Sequence, residues 1–82
     1  MKEYLITFSR TNEAIKGEQI LLDKGLSVRV MPLPSRIKAG CGICFRIRPS
    51  DFEEAVSSLQ EAGIRDIGLY EKDQQSIKEI EK

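Results

Sequence analysis

The chain contains no histidine and no tryptophan, and only two cysteines among its 82 residues. Without His it lacks the usual general base, the commonest transition-metal ligand and the near-neutral pH switch. Aromatic residues make up 6% of the chain, too few for a surface that stacks nucleic-acid bases. Thirteen basic residues balance thirteen acidic ones, so no net field draws nucleic acid or anionic lipid, and only local patches could. No apolar run approaches the length of a membrane span. The opening, Met1-Lys2-Glu3-Tyr4-Leu5-Ile6-Thr7-Phe8, lacks the apolar core of a signal peptide. These absences point to a cytoplasmic protein whose cysteines are reduced thiols. No glycine-rich phosphate loop or nucleophile elbow is present. Glu53 and Glu54 fall on a predicted helix surface and read as solvated charge. With no complete catalytic constellation and no bound cofactor implied, a carrier or binding protein is expected over an enzyme.

What is present reads as one small domain. Residues 4–9 are aromatic and β-branched with near alternation, a first strand with Tyr4, Ile6 and Phe8 on one face. A polar break follows, with Thr11 or Asn12 as the expected N-cap. Residues 12–24 carry a helical apolar stripe through Ala14, Gly17, Ile20 and Leu21, and Gly25 stops the helix. Gly17 on that stripe suggests close approach to a sheet. Residues 26–31 alternate as a second strand, ended by Pro32 and Pro34. Residues 41–48 form a third, with Ile43, Phe45 and Ile47 opposite Cys44, Arg46 and Arg48. Ser50 and Glu53 have capping-box spacing before a helix over 51–62, which Gly63 ends. Residues 64–70 read as a fourth strand, weakened by Gly68. The triplet Leu21-Gly25-Leu26 is echoed by Leu59-Gly63-Ile64.

The order βαββαβ predicts an α+β, ferredoxin-like two-layer sandwich, a four-stranded antiparallel sheet with both helices on one face and the other face open. The domain spans 1–71, and 72–82 is a charged tail, frayed or a short helix. The architecture serves many functions and selects none.

Function therefore turns on the stretch Pro32–Cys44. The topology brings the loop 32–40 to the end of the sheet where the first strand exits and the first helix begins. Cys41, opening the third strand there, is expected near the Ser9–Asn12 turn, with Thr11 and Asn12, and the helix N-terminus, with Arg10, Arg36 and Lys38 around it. Free N–H groups, the helix dipole and these cations favour a thiolate. Gly40 and Gly42 either give another molecule access to the sulfur or satisfy a bulge or tight turn. Cys41-Gly42-Ile43-Cys44 also has Cys-x-x-Cys spacing. In an extended strand the chain rises ~3.3 Å per residue, which sets the two Cα atoms roughly 10 Å apart and on opposite faces. A disulfide wants them within ~7 Å. Such a pair survives only if 41–44 is a turn. A zinc site would lack ligands without a second subunit. Cys44 reads as a small apolar residue on the open sheet face, beside Met31, Arg29, Arg46 and Arg48.

Three pieces together carry a resemblance: Tyr4-Leu5-Ile6-Thr7-Phe8 with Thr11 and Ala14; Pro32-x-Pro34; and Cys41-Gly42 with Arg46 beyond. Over roughly residues 3–70 the chain resembles the family of small bacterial and archaeal domains described as selenium/sulfur carrier-like proteins. It departs from that pattern at Lys38, Ala39 and Gly40, where small hydroxyl residues often stand, and at Ser35, where many members have arginine. The resemblance implies that Cys41 accepts sulfane sulfur or selenium as a persulfide, from a donor such as a cysteine desulfurase, and passes it to an acceptor. The alternative is a non-catalytic ferredoxin-like module that binds a ligand or partner, or forms a homodimer through the open face.

Overall fold

The structure, a computed structural model, describes residues 2–37, 40, 42–74 and 76–80. Among these residues it has two α-helices and five strands: β1 (Glu3–Phe8), α1 (Thr11–Asp23), β2 (Val28–Pro32), β3 (Ile43–Ile47), α2 (Phe52–Glu61), β4 (Ile67–Lys72) and β5 (Ile77–Glu79). All ladders are antiparallel, in the order β2-β3-β1-β4-β5. The two β-α-β units interleave, with β3 between β1 and β2 and β1 between β3 and β4.

Alternation along the strands sorts side chains onto two faces. Ile6 and Phe8 of β1, Phe45 and Ile47 of β3 and Leu69 of β4 form one buried cluster with Ala14 and Leu21 of α1 and Phe52, Ala55, Val56 and Leu59 of α2. Both helices therefore cover the same face. Tyr4 stacks on Phe52 with ring centroids 4.2 Å apart, fixing the start of α2 against β1. Gly17 is buried where α1 meets the sheet: a Cβ there would stand 3.0 Å from the Phe8 ring and 3.1 Å from Leu59. The close approach expected of Gly17 is thus real.

The two helices end alike. Gly25 and Gly63 have φ of +77° and +88°. The following apolar residue bonds back to the last turn in each case, Leu26 N–H to the Leu21 carbonyl and Ile64 N–H to the Leu59 carbonyl, both at 3.0 Å. The inner bonds, Gly25 to Leu22 and Gly63 to Gln60, complete a Schellman motif at both ends. The repeated Leu-Gly-apolar triplet is this motif written twice.

Four expectations are corrected. The sheet has five strands, not four, because the tail expected to fray or coil makes β5 against β4. Ile77 and Ile80 share the side of a helix but opposite faces of a strand. Each finds apolar cover, Ile80 on the helix-face cluster and Ile77 on the other face. The second face is not wholly open either: Leu5 and Cys44 are fully buried there, with Ile37 of the β2–β3 loop 4% exposed beside them. The helix starts also differ. The N-cap of α1 is Arg10, extended and without a side-chain cap bond, in place of Thr11 or Asn12. Ser50 lies inside a 3-10 turn, Pro49–Asp51, so the cap of α2 falls on Asp51. Finally, β3 begins at Ile43, not at residue 41.

Candidate functional site

The connection from Pro32 to Ile43 is built by turn chemistry. Pro34, Ser35, Arg36 and Ile37 form a β-turn closed by Ile37 N–H to the Pro34 carbonyl at 2.9 Å, the proline presetting its own φ. Leu33 N–H donates to the Gly42 carbonyl at 3.1 Å, which closes the base of the loop just beyond the β2–β3 ladder. Between these points the chain folds back over the second face. Ile37 seals onto Leu5 and Cys44, with Met31, Leu33, Tyr70 and Ile77 around them. It is an isolated apolar residue in a polar stretch. That isolation was the available signal for its role as a cover.

Cys44 has no exposed surface. Its sulfur donates to the Pro32 carbonyl at 3.9 Å, a long sulfur contact that adds little beyond packing. A thiol so enclosed is inert toward external reagents. The sequence reading of Cys44 as a small apolar residue holds, but the face above it is covered.

Cys41, the thiol on which the functional expectation rests, lies outside the described residues, as do Lys38 and Ala39. Their sequence neighbours are described. Gly40 sits hard against the β1–α1 turn: a Cβ added there would lie 2.2 Å from the Ser9 carbonyl oxygen. Gly42 has φ of +74°, which L side chains rarely adopt. Both glycines are exposed and both have a backbone reason to be glycine. The tight-turn reading accounts for them without any appeal to access, although their lack of bulk remains.

Ser9, in the turn expected beside this loop, also donates its hydroxyl to the Asp66 carbonyl at 3.3 Å, tying the turn to the start of β4. Next to it stand Arg10, Thr11 and Asn12, all exposed, at the first turn of α1. The first N–H groups of a helix have no intrahelical partner and carry the positive end of its dipole. Glu13 in the same turn draws on that field as well. The structure thus brings Gly40 together with the Ser9–Asn12 turn. It does not bring Arg36 there. Arg36 lines a groove with Lys72, Asp73, Ser76 and Ile77, at the β4–β5 hairpin. That hairpin lies at the other end of the sheet, where β1 begins, since Glu3 pairs with Lys72 and Phe8 with Ile67.

Among the described residues no group of three or more His, Cys, Asp or Glu side chains could hold a metal ion. No helix among them is long and apolar enough to cross a membrane. Residues 3–71 match the family model described as "Putative Se/S carrier protein-like". No curated protein and no solved structure matches the chain.

Proposed function

The chain belongs to the Se/S carrier protein-like family, and from that premise we propose that Cys41 carries sulfane sulfur or selenium as a persulfide or selenopersulfide. The family match over residues 3–71 is the observation that carries the reading. A second observation supports Cys41 over Cys44: Cys44 has no exposed surface from which to exchange sulfur with another protein.

The chemistry is a single displacement. The Cys41 thiolate attacks the terminal sulfur of a donor cysteine persulfide. A new S–S bond forms, the donor's own S–S bond breaks, and the donor leaves as a thiolate. The proton on the terminal sulfur moves with it, so no oxidant, reductant or cofactor is consumed. Attack by an acceptor nucleophile on that terminal sulfur completes the transfer and restores Cys41. The same electron count holds with selenium in the terminal position. No general base of the chain's own is required if the thiolate is already favoured, which suits a protein without His. The support for that state is local. Gly40 rests on the Ser9 carbonyl beside the start of α1, with Arg10, Thr11 and Asn12 exposed next to it. Lys38, three residues before Cys41, adds a cation in sequence. Arg36, at the far end of the sheet, is not part of this grouping. A cysteine desulfurase is the fitting donor class, and the reducing cytoplasm is the fitting compartment. The interleaved order β2-β3-β1-β4 supports a ferredoxin-like core to which β5 is added.

Incubation with a cysteine desulfurase and cysteine, followed by intact-mass spectrometry, tests the reading. We expect one added sulfur on the parent and on Cys44→Ala, and none on Cys41→Ser. Equal labelling of Cys41→Ser, or none of the parent, refutes it. The pH dependence of alkylation separates the carrier from the non-catalytic binding module. A midpoint for Cys41 well below the ~8.5 of a free thiol supports the carrier, and one near ~8.5 supports the module.

A further inference from the structure

At the end of the sheet where β1 begins, far from Gly40 and Ser9, cations gather around a groove of about 360 Å³. Lys2, Arg29, Arg46 and Arg48 line it, with Glu3 and Pro49 among the remaining walls. Arg29 and Arg46 are direct partners in the β2–β3 ladder. Their guanidinium stems therefore rise side by side from the second face, a like-charge arrangement that weakens a sheet unless something neutralises it. Glu3 does so for Arg46 alone. Lys2 and Arg48 reach Glu71 at 3.3 Å and Asp51 at 3.5 Å, with the two cations 61% and 69% exposed. Exposed pairs of that kind add little to stability and leave their cations free to turn to another anion. Arg29 is exposed and forms no ion pair among the described residues.

We propose that this groove binds a phosphomonoester, with its phosphoryl group between Arg29 and Arg46 and with Lys2 and Arg48 at the rim. A dianion between the two guanidinium groups converts their repulsion into attraction on both sides. Planar guanidinium forks match the oxygens of phosphate. Glu3 occupies one Arg46 nitrogen, and the other N–H groups of that guanidinium remain for the ligand. A monocarboxylate would neutralise only one of the two arginines. A bare phosphate would leave most of the groove empty, whereas its volume falls within the ~300–1,000 Å³ of small-molecule sites. The organic part of the ester would run past Pro49. The groove lies at the opposite end of β1 from Gly40 and Ser9, so it stands or falls independently of the sulfur chemistry.

Titration of the full chain at low ionic strength with phenyl phosphate and, separately, inorganic phosphate, followed by backbone amide NMR, tests it. We expect saturable shifts at Arg29, Arg46 and Arg48, with phenyl phosphate binding more tightly than phosphate. Arg29→Gln, at an exposed position with no ion pair among the described residues, is expected to keep the dispersed spectrum and to weaken phenyl phosphate about tenfold. Lys16→Gln, exposed on α1, is the control and leaves affinity unchanged. No saturable shift with either probe overturns the proposal. So does equal weakening by Lys16→Gln, which would reveal non-specific attraction. Equal affinity for the two probes overturns the ester assignment, and saturation by a single-stranded RNA oligonucleotide with neither small probe overturns the small-molecule assignment.

Discussion

Cys44 occupies a position that asks for a small apolar group. Leu5 and Ile37 enclose it, and its sulfur has no exposed surface. Replacing it with Ser puts a polar hydroxyl into a site enclosed by Leu5 and Ile37, so Cys44→Ser should cost about 1–3 kcal/mol in urea unfolding. In the native state an alkylating reagent should modify Cys41 and leave Cys44 intact. Both should react once the chain unfolds, and mass spectrometry before and after denaturant separates the two. Fast native modification of Cys44 would show that the cover over it opens readily. Strand parity alone set Cys44 opposite Ile43 and Phe45, and that much was legible. Its burial was not, because the cover comes from Ile37, in a loop without periodicity to announce which way it folds.

At the scale of elements, the stops were easier to read than the starts. A glycine followed by an apolar residue is a local chemical signal, and both helices use it. Gly63→Ala should destabilise by about 1–2 kcal/mol, since a side chain must then adopt the left-handed conformation. The starts misled because neither N-cap carries a side-chain cap bond, and the 3-10 turn at Pro49–Asp51 displaces Ser50 from the position its spacing implied. The Gly17 position is a packing constraint. Gly17→Val would gain helix propensity and force a branched side chain into the Phe8 ring and Leu59. The overpacking term is larger, and a loss of about 1–3 kcal/mol in thermal or urea unfolding is expected. The Pro34–Ile37 turn sets the Ile37 side chain as a lid over Leu5 and Cys44. Ile37→Ala should cost about 2–4 kcal/mol and speed alkylation of Cys44, whereas a lid held by its backbone alone would leave that rate unchanged.

For the whole molecule, the interleaved βαββαβ order was legible because each element buries one periodic stripe. The fifth strand was not. Ile77 and Ile80 are three residues apart, a spacing that suits one face of a helix. Only the assembled sheet offers apolar cover on both faces at the β4 edge, which is what makes a strand the better solution. This strand also lies beyond the residues matched by the family model, which end at 71. A chain ending at Lys72 tests what it adds. It loses the ladder with β4, the bond from Ile80 N–H to the Leu69 carbonyl at 2.7 Å, and the cover that Ile77 gives the Leu5–Cys44 cluster. Two half-buried isoleucines contribute on the order of 1 kcal/mol each. For a domain of this size that corresponds to a fall in Tm of about 10 °C. The bared edge of β4, with Leu69 and Tyr70 beside it, should also promote self-association that size-exclusion chromatography detects as concentration rises. An unchanged Tm and a monodisperse profile would mean that β5 is an ornament on a core complete without it. The expected loss of both would make it a part of the sheet that shields β4 and closes the second face.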